Sequence, residues 1–434
     1  MTVSVWLHTF GCKANQYDTE VMRQELESRG AGIVADPAAA DAAVLNTCTV
    51  TNQADANARA LIRRLHRRHP ALRIVVAGCS TALRANDYRS MPMVSGVVVG
   101  HDPGQVAAVA GLPDTIGSSD YEPVGGPLLR ANRRGTRGWL KIQDGCDRRC
   151  SFCATRLARS SSRSRPLAEV TAEARVQSSS HSELVLTGIH IGHYGRDLDP
   201  PSSLSRLCAE LLEQVPGVRF RLGSIEATEV DDLLISLMET SDGMLAPHLH
   251  MPLQSGSDAV LRRMRRWHTR EQYRRRALEI AARIPVLGLG ADVIVGFPGE
   301  TGADHAQTAA LLSELPFTYA HVFPFSVRTG TAAASIPERV PGHLAAGRSL
   351  SLRELVRAKG EAHALSRLGG GALIAVEANG TGLTGDYLRV RVQPDSGSPG
   401  SLARVKIGGS ASGLVAHAPG ARAALPILSP SGAA

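Results

Sequence analysis

Short apolar runs alternate with amphipathic stretches over the first hundred residues. Four runs have the length and composition of buried strands, namely VSVWLHT, AAVLNTC, IVVAGC and SGVVVG. The stretches NQYDTEVMRQELESRG and QADANARALIRRLHRRH repeat apolar residues at helical spacing, and Gly30 and Pro70 end these two predicted helices. Strands that alternate with helices pair in parallel, so we expect a small open parallel sheet with helices on both faces.

A second alternating series begins at Trp139. Its strand candidates are WLKIQDG, ELVLTGIHIG, FRLGSIEA, HLHMPLQSG, GADVIVGF and YAHVFPFS. Helical patterns such as LSRLCAELLEQV separate these runs. Six strand–helix units predict either a partial β/α barrel or a large open sheet. A complete barrel needs eight units, and this segment is too short to supply them.

The pattern changes again towards the C-terminus. GALIAVEANG, DYLRVRVQP and SLARVKIGG alternate apolar with polar residues and are separated by Gly-rich turns, which predicts a small antiparallel β-domain. We therefore expect an α/β protein with domains over 1–112, 138–366 and 367–434. A Gly/Pro/Arg-rich linker is predicted over 113–137, and roughly the last fifteen residues form a loose tail.

Composition narrows the class of protein. The 434 residues are 43% hydrophobic and 20% charged, which excludes a disordered or fibrous chain. The first residues do not have the pattern of a signal peptide, and no stretch reaches the ~18 apolar residues of a membrane span, so we expect a cytoplasmic protein without membrane contact. The net charge of +8 permits a polyanionic partner. Arginine-rich segments at 63–68, 130–137, 262–266 and 274–276 are ordinary solvated helix faces taken singly, but together they fit RNA phosphates.

Three cysteines stand close together after the first strand of the second series. Cys146, Cys150 and Cys153 form C-x3-C-x2-C in DGCDRRCSFC. Three thiolates on one loop can hold three irons of a 4Fe–4S cluster and leave the fourth iron open to a small molecule. The alternative is a zinc knuckle, but structural zinc takes four protein ligands, and no histidine or further cysteine lies within ten residues.

The other cysteines form a second pattern. Cys12, Cys48 and Cys79 each follow an apolar strand, and the carboxyl ends of parallel strands lie along one edge of a sheet. We expect these three thiols to converge and hold a second 4Fe–4S cluster; the alternative is three buried structural thiols. Cys208 lies on the apolar stripe of LSRLCAELL and is interpreted as a core thiol.

The motifs of the chain resemble those of the radical S-adenosylmethionine methylthiotransferases, most closely the branch acting on threonylcarbamoyl-adenosine beside the tRNA anticodon. The resemblance spans roughly residues 3–340 and rests on TFGCKANQYDTE, NTCTVTNQADANARALIRR, LKIQDGCDRRCSFC, RSRP, LTGIHIGHYG, HMPLQSGSDAVLRRMRR and DVIVGFPGET, in the family's order. It implies that the central unit is a partial (β/α)6 barrel, that the open iron binds S-adenosylmethionine, and that a deoxyadenosyl radical takes hydrogen from C2 of the adenine. It further implies that the cluster on Cys12, Cys48 and Cys79 delivers the sulfur. The implied partners are tRNA and a flavodoxin- or ferredoxin-type reductant protein.

The resemblance also implies further cofactor contacts. Thr187 and Gly188 stand where the family meets the methionine part of the cofactor, Glu226 and Gln254 end later strands, and Gly296 begins a turn that suits close approach to an adenine ring. Each could equally be an ordinary residue of a βα loop. The C-terminal domain resembles the small RNA-binding barrel called TRAM, with basic residues at Arg389, Arg391, Arg404 and Lys406 and little aromatic content for base stacking.

Two residues depart from the family pattern after the cysteine loop. Arg156 stands in place of a common proline, and Ser160 stands in place of the glycine of an Arg-Gly pair. Because these residues border the predicted active site, two rival substrates stay open, a ribosomal protein side chain and a small metabolite. A rival of another class is a non-catalytic iron–sulfur or zinc protein that binds RNA.

Overall fold

The computed structural model describes residues 2–49, 52–113, 128–129, 135–410 and 413–419. Most of the predicted linker and the predicted tail lie outside these residues. The N-terminal part forms a five-stranded sheet in the order β2-β1-β3-β4-β5, and every pairing in it is parallel. Its elements are β1 (Ser4–Thr9), α1 (Lys13–Ser28), β2 (Gly32–Val34), β3 (Ala42–Thr47), α2 (Asn52–Arg68), β4 (Arg73–Gly78), α3 (Cys79–Arg89), β5 (Gly96–Val97) and α4 (Pro103–Val109).

Helices pack on both faces of this sheet, because successive side chains of each strand point to opposite faces. On β3, Val44 packs in one core with residues of α1 and α4, whereas its neighbour Leu45 packs in a second core with residues of α2. Successive residues of a strand point to opposite faces, so a fully apolar strand is buried between two helical layers. This confirms the expected open parallel sheet, to which the structure adds β2, a short edge strand that the sequence pattern did not indicate.

The central part contains two three-stranded parallel sheets, in the orders β6-β9-β10 and β11-β12-β13. Isolated parallel bridges from Phe220 to Leu245 and from Ser224 to His250 join them, which agrees with the expected six-stranded partial barrel. A short two-stranded antiparallel sheet of β7 and β8 lies beside it. The elements are β6 (Arg137–Lys141), β7 (Gln143–Asp144), α5 (Thr155–Arg159), β8 (Arg163–Ser164), α6 (Leu167–Ser178), β9 (Glu183–Thr187), α7 (Leu204–Gln214), β10 (Arg219–Leu222), α8 (Asp232–Thr240), β11 (His248–His250), α9 (Asp258–Arg263), α10 (Arg270–Arg283), β12 (Gly288–Val295), α11 (Gly302–Glu314), β13 (Tyr319–Pro324) and α12 (Gly342–Ser366).

The C-terminal part is a closed barrel in the order β14-β15-β16-β18-β17. The sequence pattern predicted an antiparallel domain, but β16 and β18 pair in parallel, and this pair closes the barrel. Closure removes the exposed edges that an open antiparallel sheet of this size would have. The strands are β14 (Gly371–Val376), β15 (Thr381–Thr384), β16 (Arg389–Val392), β17 (Leu402–Ser410) and β18 (Gly413–His417).

Two buried arginines attach the C-terminal barrel to the central sheets. Arg219 and Arg221 lie on the same face of β10, and both pair with the carboxylate of Glu183 on β9. Their remaining N–H groups donate to backbone carbonyls of the C-terminal barrel, including Leu373 and Thr384. The polar face of the central sheets therefore supplies the attachment, while the opposite face packs against helices.

Helices of the N-terminal domain contact the partial barrel at both of its edges. On β6, the Nζ of Lys141 lies 2.9 Å from Asp18 on α1. Just after β13, the guanidinium of Arg328 lies 2.9 Å from Asp55 on α2. The N-terminal domain thus spans the gap between the two free edges. Among the described helices, none combines the length and the apolar character needed to cross a bilayer.

Candidate metal centres

The loop with the first three cysteines is shaped by its backbone. Gly145 has φ +73°, and a Cβ at this position would lie 1.8 Å from the carbonyl oxygen of Ser161, so only glycine fits. The N–H of Cys146 donates to the carbonyl of Ser160 at 3.0 Å, and the N–H of Cys153 donates to that of Cys150 at 3.3 Å. All three cysteine side chains are half-buried at one surface of the central domain. The loop is therefore held in place independently of any metal.

Burial keeps Cys146 and Cys150 protonated while they carry no metal. It raises the pKa of Cys146 to about 12 and raises the pKa of Cys150, against the opposing effect of Arg266, whose guanidinium lies 3.7 Å from the Cys150 sulfur. A metal ion that binds such a thiol deprotonates it. The site has the donor set of an iron–sulfur centre and a cation placed to neutralise part of its negative charge.

One predicted cofactor residue is connected to this loop through Arg266. The buried carboxylate of Glu226 forms an ion pair with Arg266, the same side chain that contacts Cys150. The Trp267 ring has the guanidinium of Arg148 at 4.1 Å and that of Arg266 at 4.3 Å from its centroid. The structure therefore brings Glu226 into the surroundings of the cysteine loop.

The other predicted cofactor residues lie at or near strand ends, where backbone hydrogen bonds or close packing account for their positions. The carbonyl of Thr187 accepts from Ile142 at 2.9 Å, and a Cβ on Gly188 would lie 2.8 Å from the carbonyl oxygen of Gln143. Gln254 has φ +66° and is 8% exposed, with its backbone bonded to β12. Gly296 faces α12, where a Cβ would lie 2.7 Å from that of Ala345. Packing alone explains glycine at 188 and 296, so their cofactor roles stay predictions.

A histidine lies beside the first cysteine, although none is near it in sequence. The Nδ1 of His190 is 3.6 Å from the sulfur of Cys146, and its Nε2 is 2.9 Å from the carboxylate of Glu229. This contact appears only in three dimensions, because 44 residues separate His190 from Cys146. A sequence search limited to neighbouring ligands does not find it.

The second three cysteines lie at the ends of adjacent strands, as the sequence predicted. Cys12, Cys48 and Cys79 follow β1, β3 and β4, which are neighbours in the sheet. A Cβ on Gly11 would lie 2.5 Å from the sulfur of Cys48, so the chain passes very close to this thiol. Cys48 and Cys79 are buried and Cys12 is exposed. The group is accessible from one side and anchored in the sheet on the other.

One buried arginine joins the two cysteine groups. Arg159 ends α5, the helix that follows the first group, and its Nε donates to the sulfur of Cys79 at 3.2 Å. Its other nitrogens bind Asp18 at 2.5 Å and both carboxylate oxygens of Asp144 at 3.0 and 3.1 Å. Burial alone would raise the pKa of Asp18, but the Arg159 and Lys141 cations hold it well below its usual range. Arg159 therefore couples the loop of one group to a sulfur of the other.

A histidine also contacts the sulfur of Cys79. This sulfur lies 3.6 Å from the Nε2 of His101, and burial together with Arg159 lowers the pKa of His101 to about 3, so this imidazole is neutral. Burial also raises the pKa of Cys79 to about 12. Sequence reasoning missed both His101 and Arg159. The seventh cysteine, Cys208, is fully buried in the core of the central domain, in agreement with the interpretation as a core thiol.

The arginine-rich segments differ in their environment. On α2, Arg63, Arg64, Arg67 and Arg68 are exposed. On α10, the residues of 274–276 instead form ion pairs with acidic neighbours on the same surface. Most of 130–137 lies outside the described residues. Basic residues of the C-terminal barrel point outwards at Arg389, Arg391, Arg404 and Lys406, and Arg389 and Arg404 also form ion pairs with acidic neighbours.

Comparisons with known proteins agree with this architecture. The family described as "Uncharacterized protein family UPF0004" matches residues 4–100, and the Radical SAM superfamily matches residues 140–312. The chain is 38% identical to the threonylcarbamoyladenosine tRNA methylthiotransferase MtaB of Bacillus subtilis, over 78% of this chain and 76% of that protein. It is 35% identical to the protein of the same name from Thermotoga maritima, over 78% of each chain.

A relative with a different name aligns with more of the sequence. The tRNA-2-methylthio-N(6)-dimethylallyladenosine synthase of Cereibacter sphaeroides is 33% identical over 93% of this chain and 95% of its own. Among solved structures, the radical S-adenosylmethionine methyltransferase TsrM of Kitasatospora setae has a TM-score of 0.55 at 15% identity and covers 77% of each chain. At that identity the likeness supports the fold alone.

Proposed function

The chain belongs to the family of radical S-adenosylmethionine methylthiotransferases, and from this membership we propose that it installs a methylthio group at C2 of threonylcarbamoyl-adenosine beside the tRNA anticodon. The observation that carries the proposal is the pair of cysteine groups connected by Arg159, one in each of two domains. The names and coverage of the relatives from Bacillus subtilis and Thermotoga maritima support this substrate.

The residues fit two iron–sulfur clusters. Cys146, Cys150 and Cys153 would hold a 4Fe–4S cluster with one iron left for S-adenosylmethionine, and Cys12, Cys48 and Cys79 would hold a second. When bound, the first cluster and S-adenosylmethionine supply the radical, and the second cluster supplies sulfur. An unactivated aromatic C–H has no acid–base route at neutral pH, which is why radical chemistry in a site that excludes water is needed.

The protein's own groups position and neutralise these centres. Arg266 places positive charge at Cys150 and links it to Glu226, so the first cysteine loop and the end of β10 keep a fixed relation. Arg159 does the same between α5 and Cys79. Thr187, Gly188, Gln254 and Gly296 are proposed to complete the contacts to S-adenosylmethionine.

Binding of tRNA is proposed to use exposed basic side chains outside the cysteine groups. The exposed arginines of α2 and the outward basic residues of the C-terminal barrel can neutralise backbone phosphates, which makes binding weaken as salt is added. A flavodoxin- or ferredoxin-type protein is proposed as the electron donor, and the cytoplasm, where tRNA is modified, as the compartment.

Replacing single cysteines tests whether the first cluster cleaves S-adenosylmethionine and the second cluster supplies sulfur. We expect Cys150→Ala to abolish formation of deoxyadenosine from S-adenosylmethionine while RNA binding survives. We expect Cys48→Ala to keep that cleavage and transfer no sulfur, since only the second cluster is lost. Deoxyadenosine and methylthiolated nucleoside are measured together by mass spectrometry, with iron content recorded for each variant.

Cys208→Ala is the matched control because Cys208 is a buried cysteine outside both groups, and this variant should keep both clusters and both products. Methylthiolation by Cys48→Ala at the wild-type level would remove Cys48 from its role. A reduced wild-type protein that forms no deoxyadenosine would instead favour the non-catalytic RNA-binding alternative.

A further inference from the structure

Two histidines and an aspartate meet on the polar face of the second three-stranded sheet. His250, Asp292 and His321 lie on the adjacent strands β11, β12 and β13, and Asp292 is the direct register partner of His321. One donor atom from each side chain lies within 4.8 Å of the other two. The Nε2 of His250 is 3.2 Å from one carboxylate oxygen, and the Nδ1 of His321 is 3.1 Å from the other.

These separations suit a bound metal ion. Tetrahedral zinc with ligand bonds of ~2.0–2.1 Å places neighbouring ligand atoms about 3.3 Å apart, close to the observed values. Two imidazoles and one carboxylate also form the facial triad that binds Fe²⁺ and related ions with positions left open. The donor set is therefore that of a first-row divalent metal, and the two histidine–carboxylate separations are compatible with ligands around one ion.

Tyr319 holds one ligand in the orientation that metal binding requires. Its hydroxyl lies 3.1 Å from the Nδ1 of His250 and 2.8 Å from the Nε2 of His248, so it can accept from the first ring and donate to the second. This fixes His250 with its Nε2 directed at Asp292. Ligating histidines commonly have such a partner on the other ring nitrogen, and loss of the partner weakens metal binding about 10–100-fold.

The cluster is open on one side. His250 is 8% exposed, whereas the side chain of His321 is 57% exposed. A metal ion here would keep positions for water or for an oxygen of a ligand. A second group of three, His190, His193 and Glu229, belongs to the surroundings of Cys146 and is not a separate site.

We propose that His250, Asp292 and His321 form a third metal site, which binds a divalent transition-metal ion such as Zn²⁺ with open positions facing solvent. This site contains no cysteine and does not depend on the proposed methylthio transfer. The competing interpretation is a metal-free hydrogen-bond network in which Asp292 accepts from both imidazoles.

Zinc binding to the cluster-loaded protein distinguishes the metal site from the metal-free hydrogen-bond network. With both cysteine groups occupied by iron–sulfur clusters, Zn²⁺ is titrated anaerobically by calorimetry, and the iron–sulfur absorbance is followed throughout. We expect one equivalent of zinc to bind without loss of that absorbance. Asp292→Asn and His321→Ala should abolish this binding, and Tyr319→Phe should weaken it about 10-fold or more.

His343→Ala is the matched control, because His343 is an exposed histidine at the start of α12 and its removal should leave the titration unchanged. The folding of each variant is checked by its retained iron–sulfur content. Equal zinc binding by wild type and His321→Ala would overturn the proposal. Zinc uptake that occurs only as iron is lost would overturn it as well, since the ion would then be entering the cysteine groups.

Discussion

At the scale of single residues, Ser160 occupies a backbone conformation that favours glycine. Its φ of +61° and ψ of −154° lie in a region that side chains rarely enter, at a cost of about 1–3 kcal/mol. Its carbonyl accepts from the N–H of Cys146, so the conformation positions the first cysteine. Glycine adopts this conformation without strain, which explains the family's glycine at this position. Serine adopts the same conformation here under strain.

Replacing Ser160 with glycine should therefore stabilise the protein. We expect Ser160→Gly to raise the free energy of unfolding by about 1 kcal/mol, because the relieved strain exceeds the added entropy of the unfolded chain. The control is Ser161→Gly, at an exposed neighbour without positive φ, which should lower it by up to about 1 kcal/mol. Denaturant unfolding of the three proteins measures both, and equal losses in the two variants would refute the strained conformation.

Arg159 is the residue that sets the environment of the second cysteine group. Hydrogen bonds to cluster sulfurs tune reduction potential, and a donor that favours the more negative, reduced state raises it. We expect Arg159→Lys to lower the potential of the second cluster, since lysine lacks the fork that reaches Cys79, Asp18 and Asp144 together. Redox titration followed by electron paramagnetic resonance measures this.

Arg156→Lys serves as its control, because Arg156 lies one turn earlier on α5 and is half-exposed. The potential of that variant should match the wild type. Coincident potentials in Arg159→Lys and Arg156→Lys would show that the contact to Cys79 has no electrostatic effect on the second cluster.

Site residues that lie close together in the sequence could be predicted. Site residues that meet only in the folded chain could not. Cys146, Cys150 and Cys153 stand together in sequence, so their shared loop was evident. Arg159 contacts Cys79 across 80 residues, and His190 contacts Cys146 across 44. Arg159 precedes Ser160 at the position of the family's Arg-Gly pair, but nothing local indicates that it contacts Cys79.

At the scale of elements, strands buried on both faces gave the clearest signal. β3 and β4 read as continuous apolar runs, so their ends, and with them Cys48 and Cys79, could be placed on one edge of a sheet. β2 has only three residues, too few to show any alternation, and the sequence pattern did not indicate it. Closure of the C-terminal barrel by a parallel pair depends on contacts between distant strands, which local patterns do not encode.

The pairing of β9 with β10 gives the structure a dependence on pH. Glu183 lies between Arg219 and Arg221. Burial alone would raise its pKa, but the two cations lower it from 4.5 to about 2. A carboxylate with a depressed folded-state pKa stabilises the protein above its unfolded pKa, and this contribution is lost as the pH falls from 4.5 towards 2. The difference between the two pKa values corresponds to about 3 kcal/mol.

Glu183→Gln should be less stable than the wild type at neutral pH because it leaves two buried cations without a counter-charge. The difference in unfolding free energy between the two proteins should shrink as the pH falls below 4.5, measured by denaturant unfolding of the metal-free proteins. Glu239→Gln, which removes an exposed partner of Arg283, is the control and should show a much smaller trend, because solvent screens an exposed ion pair. A difference in unfolding free energy between wild type and Glu183→Gln that does not change with pH would contradict the lowered pKa of Glu183.

At the scale of the whole molecule, the N-terminal domain contacts both edges of the partial barrel. Asp18 and Asp55 reach Lys141 and Arg328 at opposite edges, and Arg159 connects the cysteine groups between them. The sequence predicted the separate domains but not this arrangement, because their relative placement rests on a few buried ion pairs with partners more than a hundred residues apart. The two cysteine groups therefore belong to different domains, and Arg159 links the loop of one to a sulfur of the other.

Nucleoside mass spectrometry detects methylthio transfer to a tRNA nucleoside. Bulk tRNA is incubated anaerobically with the cluster-loaded protein, S-adenosylmethionine, sulfide and a reductant, then digested to nucleosides. We expect threonylcarbamoyl-adenosine to gain one methylthio group in place of hydrogen. Unmodified tRNA alongside active cleavage of S-adenosylmethionine would contradict the tRNA substrate and direct attention to proteins and small metabolites.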